Sequence, residues 1–222
     1  MDRFILRHSG EITFTSKGWE YLEQALETKT GGVILMSHVG NWEMAAQLWT
    51  RYKTGFPLML FMGAKPGEQI EKLQKEDLRE KGVRILAAGD DAGSPFDILE
   101  GIKFLKSGGF VSITGDKVRD SRQRTIQTTF LGHEVKLPEL PHLLAQLSGA
   151  PLFILLCFRL GHRQYLVSVT PPRYLNAGSG QQRKAIIEKS AQEYAQVLEA
   201  AVQEFPFQWY HFEPFWSREA GV

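Results

Sequence analysis

His38 and Glu43 are the pair of residues in this chain whose types and spacing best suit proton transfer. They are separated by four residues within GGVILMSHVGNWEMAAQLW, residues 31–49. A strand-to-helix turn between them lets the chain fold back. A carboxylate opening the helix then reaches one imidazole nitrogen and leaves the other facing a cleft, the arrangement of a general base with an orienting partner. The same spacing also suits a histidine at a strand end and a glutamate placed for the helix dipole, so on spacing alone both readings stay open.

The elements needed to hold that pair are written around it. Val33, Ile34, Leu35 and Met36 form an uninterrupted apolar run bounded by glycines, which predicts a short buried strand. Asn41 is suited to cap the following helix through its side-chain oxygen, and Trp42, Ala45, Ala46 and Trp49 supply apolar helical spacing. Ser37 next to His38 does not make a hydrolase. Neighbouring residues on a strand point to opposite faces, and the chain has no G-x-S-x-G elbow.

A second group follows the apolar strand Phe110–Thr114. Gly115 and Asp116 lead into Lys117, Arg119, Arg122 and Arg124, four cations within eight positions. Such a cluster at a strand end offers point-charge and bidentate partners to a phosphate. It is equally the composition of a solvated loop with internal Arg–Asp pairs.

The rest of the chain reads as scaffold. With 222 residues, 43% apolar content and a formal net charge of +1, it suits one globular domain over residues 1–222 and argues against a general nucleic-acid binder. Cys157 lies in an apolar run and reads as inert core. The other histidines show no metal-ligand spacing. No apolar run is long enough for a membrane span, and residues 1–13 read as a lead-in without an anchor, so a soluble or peripheral protein is expected. Short apolar runs alternate with longer helical ones, the pattern of an α/β layered sheet flanked by helices. Strands are predicted at Pro57–Met62, Val83–Leu86, Leu152–Phe158 and Gln164–Thr170, and helices near Trp19–Glu27, at Gly67–Lys81, from Ser94-Pro95 with Ile98, Leu99, Ile102 and Leu105 inward, around Leu143–Leu147, and at Gln181–Glu204. The aromatic tail Phe207–Trp216 suits packing on the sheet, the lining of a tunnel or a bilayer surface.

The stretch Ser37-His38-Val39-Gly40-Asn41-Trp42-Glu43 resembles the first motif, H-x-x-x-x-D/E, of the lysophospholipid acyltransferase superfamily. Its form is that of the bacterial lipid A (lauroyl/myristoyl) acyltransferase branch, H-x-G-N-W-E. Gly115-Asp116 with the basic loop and Thr129-Phe130-Leu131-Gly132 looks like the second block. Pro138-Glu139-Leu140-Pro141 with Gly149-Ala150-Pro151 looks like the third, with Leu140 where the family has glycine. The resemblance runs from about residue 14 to residue 216.

What the resemblance implies is a single-domain, glycerolphosphate-acyltransferase-like fold that moves a fatty acyl group to a hydroxyl of a lipid or glycolipid. The donor implied is a thioester of acyl carrier protein or coenzyme A. His38 would be the general base oriented by Glu43, with Asn41 and Trp42 as oxyanion or positioning candidates. Asp116, Lys117, Arg119, Arg122 and Arg124 would bind the acceptor or its phosphate. No metal, other cofactor or nucleic acid is implied, and the expected location is the inner face of the cytoplasmic membrane, in peripheral contact. Two other readings remain: a non-catalytic lipid- or acyl-carrier-binding homologue, and an acyltransferase or thioesterase acting on a soluble acceptor.

Overall fold

A computed structural model describes residues 12–41, 44–45, 56–63, 83–88, 94–118, 122–176 and 179–216. In chain order the elements are β1 (Thr13–Lys17), α1 (Trp19–Glu27), β2 (Gly32–Met36), β3 (Leu58–Gly63), β4 (Arg84–Ala88), α2 (Pro95–Lys106) and β5 (Phe110–Thr114). They continue with β6 (Thr125–Phe130), β7 (His133–Pro138), α3 (Leu140–Ser148), β8 (Leu152–Gly161), β9 (Gln164–Val169) and α4 (Gly180–Glu204), then a 3-10 turn at Pro206–Gln208.

Seven strands form one sheet in the order β1-β9-β8-β2-β5-β3-β4. All neighbours run parallel except β8 and β9. The central strand β2 is buried on both faces, which is why its sequence is a continuous apolar run rather than an alternating one. Val33 and Leu35 face the layer containing α2, α3 and α4, and Ile34 and Met36 face the layer containing α1. The expected layered α/β architecture is the observed one.

Local chemistry sets the helix ends. Ser94 Oγ accepts the Asp97 N–H at 3.2 Å while Pro95 opens α2, and Lys103 and Lys106 stand in its last turn, where a helix favours cations. A reciprocal Ser179–Gln182 capping box starts α4. On α2, Ile98, Ile102 and Leu105 pack inward, but Leu99 is exposed, one residue off that stripe. Leu147 likewise faces out of α3, while Leu144 and Ala145 are buried. The strands of the 125–138 stretch form an antiparallel hairpin, β6–β7, that the sequence reading does not anticipate. It lies on α4 through Gln192, whose side chain bonds both the N–H and the carbonyl of Thr129. The predicted helix at Gly67–Lys81 lies outside the described residues, as do residues 1–11 of the lead-in and the Ala46–Trp49 end of the helix after Asn41. Among the described residues no helix is long and apolar enough to cross a membrane.

His142 of α3 is sealed between helices, with Nδ1 2.9 Å from Ser190 Oγ of α4 and Nε2 without a partner among the described residues. Burial pushes its pKa from 6.5 down to about 3. As pH falls below 6.5 the unfolded chain therefore takes up this proton first, and stability drops by about 1.4 kcal/mol per pH unit until about pH 3. Denaturant titrations at pH 7 and pH 5 should differ by about 2 kcal/mol from this group alone. His142→Leu, although less stable at pH 7 for want of the Ser190 bond, should lose that part of the difference. An unchanged difference in the variant would assign the acid sensitivity elsewhere.

Candidate functional site

Strands β2 and β5 are adjacent, parallel and in strict register, from Gly32 opposite Phe110 to Met36 opposite Thr114. His38 and Asp116 each lie two residues beyond the strand end, so the register carries them to the same level at the carboxyl edge of the sheet, where parallel α/β sheets place their sites. There the two residues join twice. The His38 backbone N–H donates to Asp116 Oδ2 at 2.7 Å, and His38 Nδ1 lies 2.8 Å from Asp116 Oδ1. Asp116 is 2% exposed, whereas the His38 side chain keeps 26% of its surface accessible.

This geometry assigns the imidazole protons. A carboxylate oxygen can only accept from Nδ1–H, so the neutral ring carries its proton on Nδ1 and its lone pair on Nε2. His38 is thus a base with one nitrogen tethered and, among the described residues, no partner on the other. Beneath it, the Tyr194 hydroxyl of α4 donates to the Met36 carbonyl at 2.9 Å. Burial, with the nearby Asp116 charge, drives the Tyr194 pKa well above its usual value, so the phenol stays a proton donor.

The turn after His38 is held by its own N–H groups. Val39 N–H donates to Ser37 Oγ at 3.1 Å, Gly40 N–H to the Gln208 carbonyl at 2.7 Å, and Asn41 N–H to the Cys157 carbonyl at 2.6 Å. Gly40 has φ +74°, and a Cβ there would sit 2.1 Å from the Cys157 oxygen, so only glycine fits. Asn41 Oδ1 accepts the Met44 N–H at 3.1 Å, the cap expected of it, and Met44 and Ala45 are helical and buried. Trp42 and Glu43 lie outside the described residues.

The tail closes over the same turn. Tyr210 N–H donates to the His38 carbonyl at 2.9 Å, and Trp209 makes an antiparallel bridge with Val39. The His211 ring stands edge-on to His38 with centroids 6.3 Å apart, and it also packs on Trp209 and Phe215. Lys117 Nζ pairs with Glu213 Oε1 at 2.6 Å. Of the other cations, Arg122 and Arg124 are exposed, Arg124 Nε lies 3.8 Å from Glu139, and Arg119 is outside the described residues. Leu140 is buried at the start of α3.

The structure therefore brings together His38, Asp116 and Lys117, and adds Tyr194, His211 and Glu213, to which sequence reasoning gives no role. Asp116 appears in that reasoning as part of an acceptor or phosphate site; here both its oxygens are turned onto His38. The signal for the pairing is the equal two-residue offset of His38 and Asp116 from the ends of their apolar runs. Among the described residues, no three His, Cys, Asp or Glu side chains are grouped to hold a metal ion.

Comparison with known proteins adds to this geometry. The family model for bacterial lipid A biosynthesis acyltransferases matches residues 3–218. A phosphatidylinositol mannoside acyltransferase of Mycobacterium tuberculosis is 28% identical over 200 residues, covering 90% of this chain and 58% of the relative. That of Mycolicibacterium smegmatis is 26% identical over 197 residues, covering 89% of this chain and 60% of the relative. The chain thus spans less than two thirds of the length of these relatives.

The turn geometry makes Gly40 a sensitive position. Gly40→Ala should lower unfolding free energy by at least about 2 kcal/mol through left-handed strain and collision with backbone, as read by urea denaturation. A loss under about 0.5 kcal/mol would mean that the turn yields easily.

Proposed function

The chain belongs to the bacterial lipid A biosynthesis acyltransferase family, and on that premise we propose that it transfers a fatty acyl group from a thioester to a hydroxyl of a lipid or glycolipid. The observation that carries this reading is the tethered imidazole: His38 Nδ1 held 2.8 Å from a buried carboxylate, with Nε2 left to act. His38 Nε2 takes the hydroxyl proton as the oxygen attacks the thioester carbonyl. The tetrahedral intermediate then collapses, the carbon–sulfur bond breaks, and the leaving thiolate takes the proton from Nε2, which restores the neutral imidazole. The products are an ester and a free thiol, with no covalent intermediate on the protein.

Asp116 takes the orienting role in this scheme, fixing the tautomer and stabilising the imidazolium that forms. The sequence motif offers Glu43 for the same task, and substitution separates the two. The oxyanion needs N–H donors. Those of residues 38–41 are already engaged, so of the two oxyanion or positioning candidates Asn41 serves as the helix cap and the oxyanion role is proposed for Trp42. Lys117, Arg119, Arg122 and Arg124 are assigned to the anionic part of the acceptor or donor. The donor is an acyl carrier protein or coenzyme A thioester, and the chemistry calls for no metal or redox cofactor.

A peripheral position at the inner face of the cytoplasmic membrane completes the proposal. It is supported by Phe207 and Phe212, which are 94% and 89% exposed on the segment that covers His38. Such side chains suit the headgroup level of a bilayer, where a lipid hydroxyl would be met.

The test is thiol release from acyl-carrier-protein and coenzyme A thioesters, with and without lipid extract. Release should depend on lipid, and His38→Gln should abolish it. Asp116→Asn should lower kcat by about 10²–10⁴-fold, and Glu43→Gln by much less if Asp116 is the orienting group. The reverse order of the two acid variants would return that role to Glu43. Release without lipid would favour a soluble acceptor or hydrolysis, and none from any donor would favour a binding protein.

A further inference from the structure

Beyond the carboxyl end of β2, the edge of β8 has no strand partner on that side among the described residues. Its backbone is satisfied in two other ways. The turn comes first: Gly40 bridges Cys157, and Asn41 N–H donates to the Cys157 carbonyl. Two residues on, the Gln208 carboxamide takes over, its Oε1 accepting the Arg159 N–H at 2.8 Å and its Nε2 donating to the Arg159 carbonyl at 2.9 Å. A side chain here imitates one residue of a β-ladder.

The same residue faces the other way through its backbone. The Gln208 carbonyl accepts the Gly40 N–H at 2.7 Å, and two residues later Tyr210 N–H reaches the His38 carbonyl. The His38–Gly40 turn is therefore gripped between β8 and residues 208–210, with Gln208 touching both sides of the grip. We propose that Gln208 is a positioning residue for His38, a role that rests on the acyl-transfer reading above. It does not touch the reacting atoms; it fixes the height of the turn, and with it the alignment of His38 Nδ1 on Asp116 Oδ1.

The surrounding packing lets this role be separated from folding. Phe205 stacks on Phe158 at 4.4 Å on one side of Gln208, and Trp209 packs on Phe130 and Phe215 on the other. These contacts keep the tail on the sheet when the carboxamide is removed. What is lost is the ladder contact that sets its register along β8. A displacement of about an ångström at a catalytic base is enough to cost up to about 100-fold in rate.

The experiment compares Gln208→Ala and Gln208→Met, the second keeping bulk but neither hydrogen bond, with Gln203→Ala at an exposed site on α4 as control. Thiol release should show kcat lowered 10- to 100-fold with KM within about twofold in both Gln208 variants, and unchanged kinetics in the control. Proton NMR of His38 Nδ1–H should show its hydrogen-bonded signal broadened or shifted while the amide spectrum stays dispersed. Wild-type kcat and an unchanged His38 signal would overturn the assignment. So would loss of all dispersion in both variants, which would make Gln208 a folding residue. The NMR arm needs no substrate, so it decides the positioning role even if the protein proves inactive toward thioesters.

Discussion

Asp116 is a carboxylate almost wholly removed from water, and its two oxygens are taken by one residue, His38, through backbone and ring. Burying a carboxylate without partners costs several kcal/mol. The site therefore depends on His38 as much as His38 depends on Asp116. The double contact fixes three things together: the level of the turn after β2, the rotamer of the imidazole, and the tautomer. The sheet serves it by aligning β2 with β5, and α4 serves it by holding Met36 through Tyr194.

This mutual dependence also explains why so many N–H groups of the turn are committed. Residues 38–41 spend theirs on Asp116, Ser37, Gln208 and Cys157, one partner from the turn itself and three from distant parts of the chain. A turn held from so many directions has little freedom to adjust, as a base needing fixed alignment requires. The cost is that none of these four donors is left for an oxyanion.

Much of the scaffold is legible in the sequence because its signals are local. Val33–Met36 and Phe110–Thr114 announce buried strands by unbroken apolar character, and Ser94-Pro95 announces a helix start by capping chemistry. Asn41 announces its cap in the same way. Leu99 fails because a window of apolar residues does not say which side of the stripe meets the sheet. The β6–β7 hairpin is harder, since Leu131-Gly132 is a tight connection and β6 alternates, with Ile126 packed on Ile187 and Ala191 of α4 and Gln127 and Thr129 exposed. The His38–Asp116 pair is long-range: it exists because β5 lies beside β2 although β3 and β4 intervene in the chain. The same is true of the tail, whose hold on His38 arises from Gln208 and Tyr210, residues with no signature of their own.

The central claim is that Asp116 fixes the tautomer of the His38 imidazole, with the proton on Nδ1 and the lone pair on Nε2. The most direct measurement is the nitrogen-15 NMR spectrum of the His38 imidazole in the wild-type protein, assigned by its loss in His38→Gln and followed across neutral pH. The account predicts one dominant neutral tautomer with the proton on Nδ1 and a bare Nε2. A dominant Nε2–H form would contradict it, because the nitrogen facing the substrate would then have no lone pair with which to take a proton.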